Sequence, residues 1–345
     1  MTDPTNPLGL NGFEFVEFTS PDPLAMAAQF EQLGFVPSHR HPSKNITRYK
    51  QGRINLMLNR DADGRVAQFR NEHGASASAM AFRVADPEAA MKWALENGAE
   101  RTAEDDTVIM GIGGSYLYFI KDGEDLYSDW AEFPGWQEAE AKNNVGLDLL
   151  DHLTHNVRRG QMRVWSEFYK TLFGFEEQKY FDIKGQATGL FSQAMIAPDK
   201  AIRIPLNESQ DDKSQIEEFI REYHGEGIQH LALTTPDIFD TVERLRARGV
   251  KLQDTIETYY ELVDKRVPGH GEDLERLRKN RILIDGNVGD EGILLQIFTE
   301  NMFGPIFFEI IQRKGNEGFG NGNFQALFES IELDQIRRGV IQVDA

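Results

Sequence analysis

The residues in this chain best suited to chemistry are one glutamate and two histidines that lie far apart. Glu309 falls within the apolar run 307–311, where an unpaired carboxylate would be costly, so it needs a cation. His152 and His230 lie on predicted strands and can offer neutral imidazole nitrogens. Because the chain contains no cysteine, any metal site must use nitrogen and oxygen ligands.

Two imidazoles and one carboxylate on one face of a metal leave up to three adjacent positions open, which is typical of non-haem Fe(II) oxygenases. A zinc hydrolase is the competing use of these residue types. His152 and His155, however, do not form the helical H-E-x-x-H motif of such enzymes. Residues three apart on a strand point to opposite faces, so one of the two must face away from the site. The sequence favours His152 as the ligand, because its neighbour Asp151 corresponds to Gln229 beside His230.

The elements that must position these residues belong to a unit that occurs four times. Each copy is predicted as a short strand, a turn with Asp or Pro, an amphipathic helix, and a glycine that leads into the next strand. In three copies a turn aspartate lies twelve residues before the closing glycine, which suits an N-cap, three helical turns and a C-terminal glycine. The first strands of the units are predicted at residues 13–18, 79–84, 151–157 and 228–233. Pairs of such units predict an α+β protein with two similar halves.

The two halves are predicted to differ in function. The polar stretch 137–144 marks the junction, so we expect an N-terminal metal-free domain, 1–144, and a C-terminal catalytic domain, 145–345. In the register of the repeat, Phe15 and Ala79 occupy the position of His230, and neither can ligate a metal. The N-terminal half is therefore interpreted as a scaffold or an oligomer contact.

Each candidate ligand also has an ordinary structural explanation. A single histidine on a strand is more often a satisfied core residue than a ligand. A buried glutamate is more often paired with a basic side chain, and Arg313 and Lys314 follow Glu309 closely. The joint placement of His152 and His230 on equivalent strands favours the metal hypothesis.

The glycine-rich segment 318–322 and the residues after it are predicted to form a turn and a C-terminal helix. The segment lacks the Lys-Ser/Thr and the preceding strand of a phosphate-binding loop. The helix that begins at Asn323 carries Phe324 and Phe328 on one face. Such a face usually packs for stability, and the alternative is a lid that closes a pocket and excludes water.

Composition limits the classes of partner. The 345 residues are 40% hydrophobic, enough for about two ordinary domains. No run is long enough to span a bilayer, and the N-terminus lacks the basic and apolar regions of a signal peptide. The formal net charge of −19 argues against nucleic acid or an anionic membrane as partner. A cytoplasmic protein fits these properties.

Several segments together resemble the bacterial 4-hydroxyphenylpyruvate dioxygenase family, namely 151–157, 227–230, 294–298, 308–315 and 318–324. The resemblance covers nearly the whole chain and includes residues 12–15 and 203–208. Any one of these motifs would be weak evidence, whereas their order and spacing make the match specific.

The resemblance implies a vicinal-oxygen-chelate fold, with four βαβββ-type units paired into two half-open barrels and a C-terminal helix. It also implies Fe(II) held by His152, His230 and Glu309, and a substrate that chelates the iron through its 2-oxo acid group before O2 binds. The implied reaction turns 4-hydroxyphenylpyruvate into homogentisate and CO2 by oxidative decarboxylation, ring hydroxylation and side-chain migration, as in tyrosine and phenylalanine catabolism. Neither external 2-oxoglutarate nor a nicotinamide is required, and the family is expected to form dimers or tetramers.

The resemblance further implies a substrate pocket. Its polar contacts would be Ser192, Asn207, Gln215, Gln229, Gln296 and Asn323. Its aromatic slot would be shaped by Phe307, Phe319, Phe324 and Phe328. Glutamines and phenylalanines have many ordinary uses, so the structural explanation is stronger here than for the ligands.

Two other functions fit the same resemblance. 4-Hydroxymandelate synthase shares the iron site and substrate but oxidises the benzylic carbon, and Phe324 argues against it because a smaller aliphatic residue is expected there. A metal-free small-molecule binding protein of this fold would lack the three ligands. The segment 102–108 is shorter than expected for the family, which bears on oligomer contacts more than on chemistry.

Overall fold

The computed structural model describes residues 5–102, 107–184, 189–323 and 325–326. By the proximity of Cα atoms, the chain divides into two compact units. The first comprises 1–144, 149–232 and 301–307, and the second comprises 145–148, 233–300 and 308–345. The division into domains 1–144 and 145–345 stays a prediction.

The first eight strands form one sheet, in the order β6-β7-β5-β1-β4-β3-β2-β8. At its centre β1 pairs in parallel with β4 and antiparallel with β5. The strands are β1 (Phe13–Thr19), β2 (Val36–Arg40), β3 (Ile46–Gln51), β4 (Ile54–Asn59), β5 (Ser76–Val84), β6 (Val108–Met110), β7 (Tyr116–Lys121) and β8 (Ala131–Glu132).

The second eight strands form another sheet, in the order β10-β11-β12-β9-β13-β16-β15-β14. As in the first sheet, the opening strand β9 pairs in parallel with the last strand of its own unit, β12. The strands are β9 (Leu149–Val157), β10 (Glu176–Lys184), β11 (Gly189–Ile196), β12 (Arg203–Ser209), β13 (Gly227–Thr234), β14 (Leu283–Asn287), β15 (Gly292–Phe298) and β16 (Phe307–Lys314).

The helices are α1 (Pro23–Gln32), α2 (Gly64–His73), α3 (Pro87–Glu96), α4 (Trp136–Asn143), α5 (Met162–Phe173), α6 (Gln215–Glu222), α7 (Ile238–Ala247), α8 (Glu257–Glu261), α9 (Val263–Arg266) and α10 (Leu274–Asn280). Residues 321–323 and 325–326 are also helical. Throughout the described part of the chain, no helix has both the length and the apolar character that a membrane span requires.

The predicted helix boundaries are confirmed at the capping residues. Asp22, Asp86 and Asp237 are N-caps whose carboxylates accept backbone N–H groups of the first turn. The glycines predicted to close these helices, such as Gly34 with φ +93° and Gly249 with φ +82°, adopt the left-handed backbone that ends a helix. The repeat could therefore be located from local signals.

Two details of the N-terminal half were not part of the prediction. After β7 the chain forms the two-residue strand β8, which pairs back onto β2. The polar junction 137–144 is almost entirely helix α4. Good helix formers such as Ala and Glu explain this, since polarity alone does not separate an exposed helix from a loop.

The interior of the first sheet is filled by apolar side chains at the position predicted to correspond to the metal site. Phe15 is buried with Ile46, Met57, Ala81 and Tyr127 in one cluster. The residue that matches His230 in the repeat is thus a packing residue, consistent with the prediction of a scaffold role for this sheet.

Candidate metal centre

His152 lies in the middle of β9 and is 2% exposed. Its Nδ1 is 2.8 Å from Oδ2 of Asp151. A carboxylate can only accept here, so Nδ1 carries the proton and the lone pair is on Nε2. Asp151 is itself held by Arg203, whose Nη1 lies 3.6 Å from Oδ1. This is the arrangement by which proteins orient a metal-binding histidine.

His230 has the same kind of support on β13. Its Nδ1 lies 3.0 Å from Oε1 of Gln229, so Nδ1 carries the proton. The lone pair that could bind a metal is again on Nε2. The ring stacks on Phe307 with centroids 4.8 Å apart and 21° between planes. The rings of His230 and His152 approach to 5.6 Å between centroids. Asp151 and Gln229, which occupy matching positions in the repeat, therefore make the same contact with the histidine that follows each of them.

Glu309 lies on β16 and is 2% exposed, as its apolar surroundings predicted. Gln296, on the neighbouring strand β15, donates from Nε2 to Oε1 of Glu309 at 3.0 Å. The torsion that rotates a glutamate carboxylate is soft, so a fixed amide donor narrows its orientation. The hydrogen bond from Gln296 therefore restricts the orientation of the buried Glu309 carboxylate.

The three side chains meet. β9, β13 and β16 are consecutive neighbours in the second sheet, and one ligand atom from each of His152, His230 and Glu309 lies within 4.8 Å of the others. Two neutral nitrogens and one carboxylate oxygen form a donor set that suits a divalent first-row metal. The residues present therefore fit a metal site.

The basic side chains that could have neutralised Glu309 have other contacts. Arg313 donates from Nη1 to the carbonyls of Asn316 at 3.0 Å and Gly318 at 2.6 Å. Lys314 bonds to Glu272 at 2.5 Å. The Arg313 bonds hold the turn after β16, and the Lys314 ion pair links the end of β16 to the residues before α10.

His155 faces the opposite side of β9, as strand alternation requires. Its Nε2 lies 2.7 Å from the Tyr169 hydroxyl on α5. Complete burial lowers the pKa of His155 to about 3, so this imidazole is neutral at physiological pH. The prediction that one of the two histidines points away from the site is confirmed, and that histidine is His155.

A row of polar side chains runs across the sheet beside His152. Ser192 on β11 is paired with Asn207 on β12, and Asn207 is paired with Asn156 on β9. Cross-strand partners project from the same face, and Asn156 lies four residues after His152, so the row shares the face of His152. Within the described residues, neither side-chain amide atom of Asn156 has a hydrogen-bond partner, although the residue is fully buried.

Asn156 was not among the predicted site residues. Strand alternation counted from His152 could have found it, because residues two and four positions along a strand project from the same face. A buried amide without a partner costs stability, so such a group is a candidate for contact with a bound molecule.

The remaining predicted pocket residues occupy different environments. Asn323 is buried and donates from Nδ2 to Oε1 of Gln296 at 2.9 Å. Phe319 is half-buried beside the Arg313 guanidinium, 5.9 Å from its ring centroid. Gln215 is exposed in the first turn of α6, so its role in a pocket stays a prediction. Phe324 and Phe328, and with them the lid hypothesis, lie outside the described residues.

Two family models match the chain. Residues 4–130 match "Hydroxyphenylpyruvate dioxygenase, HPPD, N-terminal", and residues 149–262 match "Glyoxalase/Bleomycin resistance protein/Dioxygenase superfamily". The chain is 56% identical over 348 residues to the 4-hydroxyphenylpyruvate dioxygenase of Pseudomonas aeruginosa, with 97% of each chain covered. The protein belongs to the 4-hydroxyphenylpyruvate dioxygenase family. The family predicted from the sequence motifs is confirmed.

Other similarities extend over the whole chain. Hemolysin VllY of Vibrio vulnificus is 53% identical over 354 residues, with 99% of each chain covered. Among solved structures, a mutant of 4-hydroxymandelate synthase from Streptomyces coelicolor superimposes with a TM-score of 0.81 at 27% identity, covering 95% of this chain and 100% of that one. The fold of the 4-hydroxyphenylpyruvate dioxygenase family member described here is therefore the predicted α+β vicinal-oxygen-chelate fold.

Proposed function

We propose that this protein is a 4-hydroxyphenylpyruvate dioxygenase that uses Fe(II) and O2 to form homogentisate and CO2. The observation that carries the proposal is the convergence of His152, His230 and Glu309 in a chain 56% identical to the Pseudomonas aeruginosa enzyme of that name. The metal-free binding protein is disfavoured, because all three ligands are present and oriented.

Iron is proposed over zinc because the chain belongs to a dioxygenase family and its histidines do not form the helical H-E-x-x-H motif of zinc hydrolases. Two histidines and one carboxylate, with open positions opposite them, are typical of non-haem Fe(II) oxygenases. When bound, Fe(II) would supply the binding and reduction of O2 beside the chelated 2-oxo acid. The protein holds the two imidazoles in the correct tautomer through Asp151 and Gln229, and it holds the carboxylate through Gln296.

The substrate would be positioned by side chains on the same face of the sheet. Ser192, Asn207 and Asn156 offer hydroxyl and amide groups in a row, which suits the phenol or the carboxylate of the substrate. Gln229 and Gln296 would mainly orient the ligands they already contact. Phe307, stacked on His230, would form one wall of an apolar slot. The further contacts proposed from the family are Gln215, Phe319, Asn323, Phe324 and Phe328.

The reaction balances without an added reductant. Loss of CO2 from the 2-oxo acid supplies two electrons, ring hydroxylation supplies two more, and the two oxygen atoms of O2 end in the new carboxylate and the new hydroxyl. The burial of His152 and Glu309 keeps bulk water from the ligands during this chemistry.

The decisive experiment loads the protein with Fe(II), adds 4-hydroxyphenylpyruvate under air, and measures O2 uptake together with the chromatographic product. We expect homogentisate in equal amount to the O2 consumed. Recovery of 4-hydroxymandelate would assign the synthase reaction instead, and an absence of O2 uptake would refute an oxygenase.

The ligand set has a separate test. His230→Ala is expected to abolish stoichiometric iron binding, measured by metal analysis after gel filtration, and to abolish turnover with it. Full iron occupancy in this variant would exclude His230 as a ligand. His155→Ala is the matched control, since His155 contacts Tyr169 and faces away from the group.

We also propose a cytoplasmic homo-oligomer, a dimer or a tetramer. The oligomer is inferred from family membership, and the acidic composition, with a net charge of −19, suits a soluble cytoplasmic enzyme. Light scattering coupled to gel filtration would measure the mass of the assembly, and a mass equal to 39.2 kDa would identify a monomer instead.

A further inference from the structure

A chain of hydrogen bonds links Arg266, at the end of α9, to the carboxylate of Glu309. Arg266 donates from Nη1 to Oδ1 of Asn323 at 3.1 Å. Asn323 donates from Nδ2 to Oε1 of Gln296 at 2.9 Å, and Gln296 donates from Nε2 to Oε1 of Glu309 at 3.0 Å. Two side-chain amides thus separate a guanidinium from a proposed metal ligand.

The direction of this chain is determined at both ends. A guanidinium can only donate, and an ionised carboxylate can only accept. Each amide must therefore turn its oxygen toward Arg266 and its NH2 group toward Glu309. Reversing Asn323 or Gln296 would place donor against donor at one end and acceptor against acceptor at the other.

Tyr259 on α8 reinforces the same direction. Its Oη accepts from the backbone N–H of Ile284 at 2.9 Å and from Nη2 of Arg266 at 2.7 Å. With both lone pairs used, the hydroxyl proton has two acceptors within reach, and Oδ1 of Asn323 at 2.6 Å is much closer than the Ile284 carbonyl at 3.2 Å. Oδ1 of Asn323 thus accepts two bonds, and the amide has one orientation.

Burial makes these bonds important. Tyr259 is 1% exposed, and Gln296 and Asn323 are each 3% exposed. An amide that lost its partner here could not exchange it for water and would pay the desolvation cost of a buried polar group. The guanidinium also lies 4.7 Å from the centroid of the Tyr259 ring, which holds the two donors together.

We propose that Arg266 and Tyr259 are positioning residues for the metal centre, acting on Glu309 through Asn323 and Gln296. By fixing the Asn323 amide, they fix the Gln296 amide, and this in turn holds the carboxylate in the orientation that binds metal. The inference rests on the proposed metal site, and it assigns a metal-related role to residues of α8 and α9 that touch no ligand directly.

A purely structural explanation is the alternative, because Arg266 also donates from Nη2 to the carbonyl of Ile284 at 2.9 Å. In that case Arg266 would stabilise β14 and the start of the C-terminal helix without affecting Glu309. The two explanations differ in whether the effect of Arg266 on metal affinity requires Gln296.

The experiment is a double-mutant cycle in which the apoprotein is titrated anaerobically with Fe(II), and with Co(II) as a second metal whose visible absorption reports ligand geometry. Removing a side chain that hydrogen-bonds to a metal ligand typically weakens metal binding by about 10- to 100-fold. We expect Arg266→Gln to weaken binding by about tenfold in the natural background. In a Gln296→Leu background, where the chain is already broken, the same change should have no further effect.

An equal loss of affinity in both backgrounds, or no loss in the natural one, would overturn the proposal. Tyr259→Phe provides a milder second variant in case Arg266→Gln folds poorly, and it should weaken binding in the same direction. Arg266→Lys should restore part of the affinity, since one cationic donor returns. Arg276→Gln is the matched control in α10, where Arg276 pairs with Glu243 and affinity should be unchanged.

The result of the metal-affinity test can be distinguished from the result of the test for homogentisate formation. Metal affinity is measured without substrate, so a protein that binds Fe(II) but makes no homogentisate would refute the function and leave the positioning role intact. Conversely, normal turnover with an Arg266 effect independent of Gln296 would refute only the positioning role.

Discussion

The Gln296 side-chain amide donates to the Glu309 carboxylate at 3.0 Å, from the adjacent strand and within the buried interior. Both residues were predicted as parts of one site, but as parts with separate roles, a ligand and a substrate contact. Their hydrogen bond shows that Gln296 acts on the ligand itself, and several expected outcomes follow from contacts of this kind.

Gln296→Leu is expected to weaken Fe(II) binding by about 10- to 100-fold, because Glu309 loses the donor that orients its carboxylate. The measurement is an anaerobic titration of the apoprotein. Gln312→Leu on β16 is the matched control, since Gln312 bonds to the backbone of Ile238 at 3.1 Å and not to a ligand. Equal affinity in the two variants would contradict the role of Gln296.

Asn156→Leu is expected to raise the KM for 4-hydroxyphenylpyruvate by about tenfold while leaving the free energy of unfolding unchanged or higher by about 1 kcal/mol. The side-chain amide of Asn156 has no partner among the described residues, so its removal takes away a desolvation cost and a substrate contact together. Steady-state kinetics and urea unfolding measure the two effects.

The matched control for that change is Asn55→Leu. Asn55 is also buried, but its Oδ1 accepts from Nε and Nη2 of Arg48 at 3.0 Å and 2.7 Å. We expect this variant to lose stability and keep its KM. A loss of stability in Asn156→Leu as large as in Asn55→Leu would show that Asn156 is an ordinary core residue.

Glu17→Gln is expected to stabilise the protein increasingly as pH rises. Burial raises the pKa of Glu17 above 4.5, against the opposing effect of donors from Ser78 at 2.8 Å and Asn59 at 3.1 Å. A carboxyl whose folded pKa is raised contributes its stability below the unfolded pKa and loses it as pH rises through the folded pKa. The charge on Glu17 therefore costs stability at neutral pH.

Urea unfolding of the Glu17→Gln variant and the natural protein between pH 4 and pH 8 would test this direction of the pH dependence. A glutamine matches the shape of Glu17, accepting from Asn59 and donating to the Ser78 hydroxyl. Glu124→Gln, at an exposed surface pair with Lys121, is the control. A stability difference between Glu17→Gln and the natural protein that shrinks toward higher pH would contradict the expected direction.

Gly320→Ala is expected to destabilise the start of the C-terminal helix and to weaken metal binding. Gly320 has φ +73°, and a Cβ there would lie 1.5 Å from Oε1 of Gln296, the atom that accepts from Asn323. A left-handed backbone alone costs about 1–2 kcal/mol for a residue with a side chain.

Gly315→Ala separates the cost of the left-handed backbone from the effect of the close contact with Gln296. Gly315 has φ +88°, but the nearest atom to an added Cβ is 3.6 Å away. The Gly315→Ala variant should lose about 1–2 kcal/mol of stability and keep its metal affinity. If Gly320→Ala also kept its affinity, close packing of this glycine against Gln296 would have no role in the metal centre.

The sequence by itself predicted the repeated strand-helix units and the identities of the proposed metal ligands. Caps such as Asp22 and Asp237, closing glycines such as Gly249, and the repeated unit are local signals, because hydrogen bonds at helix ends involve residues three or four apart. The repeat register and the family motifs then selected His152, His230 and Glu309 as one group without any distances.

Only the tertiary structure decided which side chains serve those ligands. Gln296 and Asn323 are far from Arg266 and Tyr259 along the chain, and nothing in their spacing predicts the directed hydrogen bonds between them. Such contacts depend on strand register and on side-chain rotation in a buried interior, where each amide is oriented by partners from other elements. The same reason applies to Asn156, because the absence of a hydrogen-bond partner for it among the described residues depends on its neighbours in space and not on its position in the sequence.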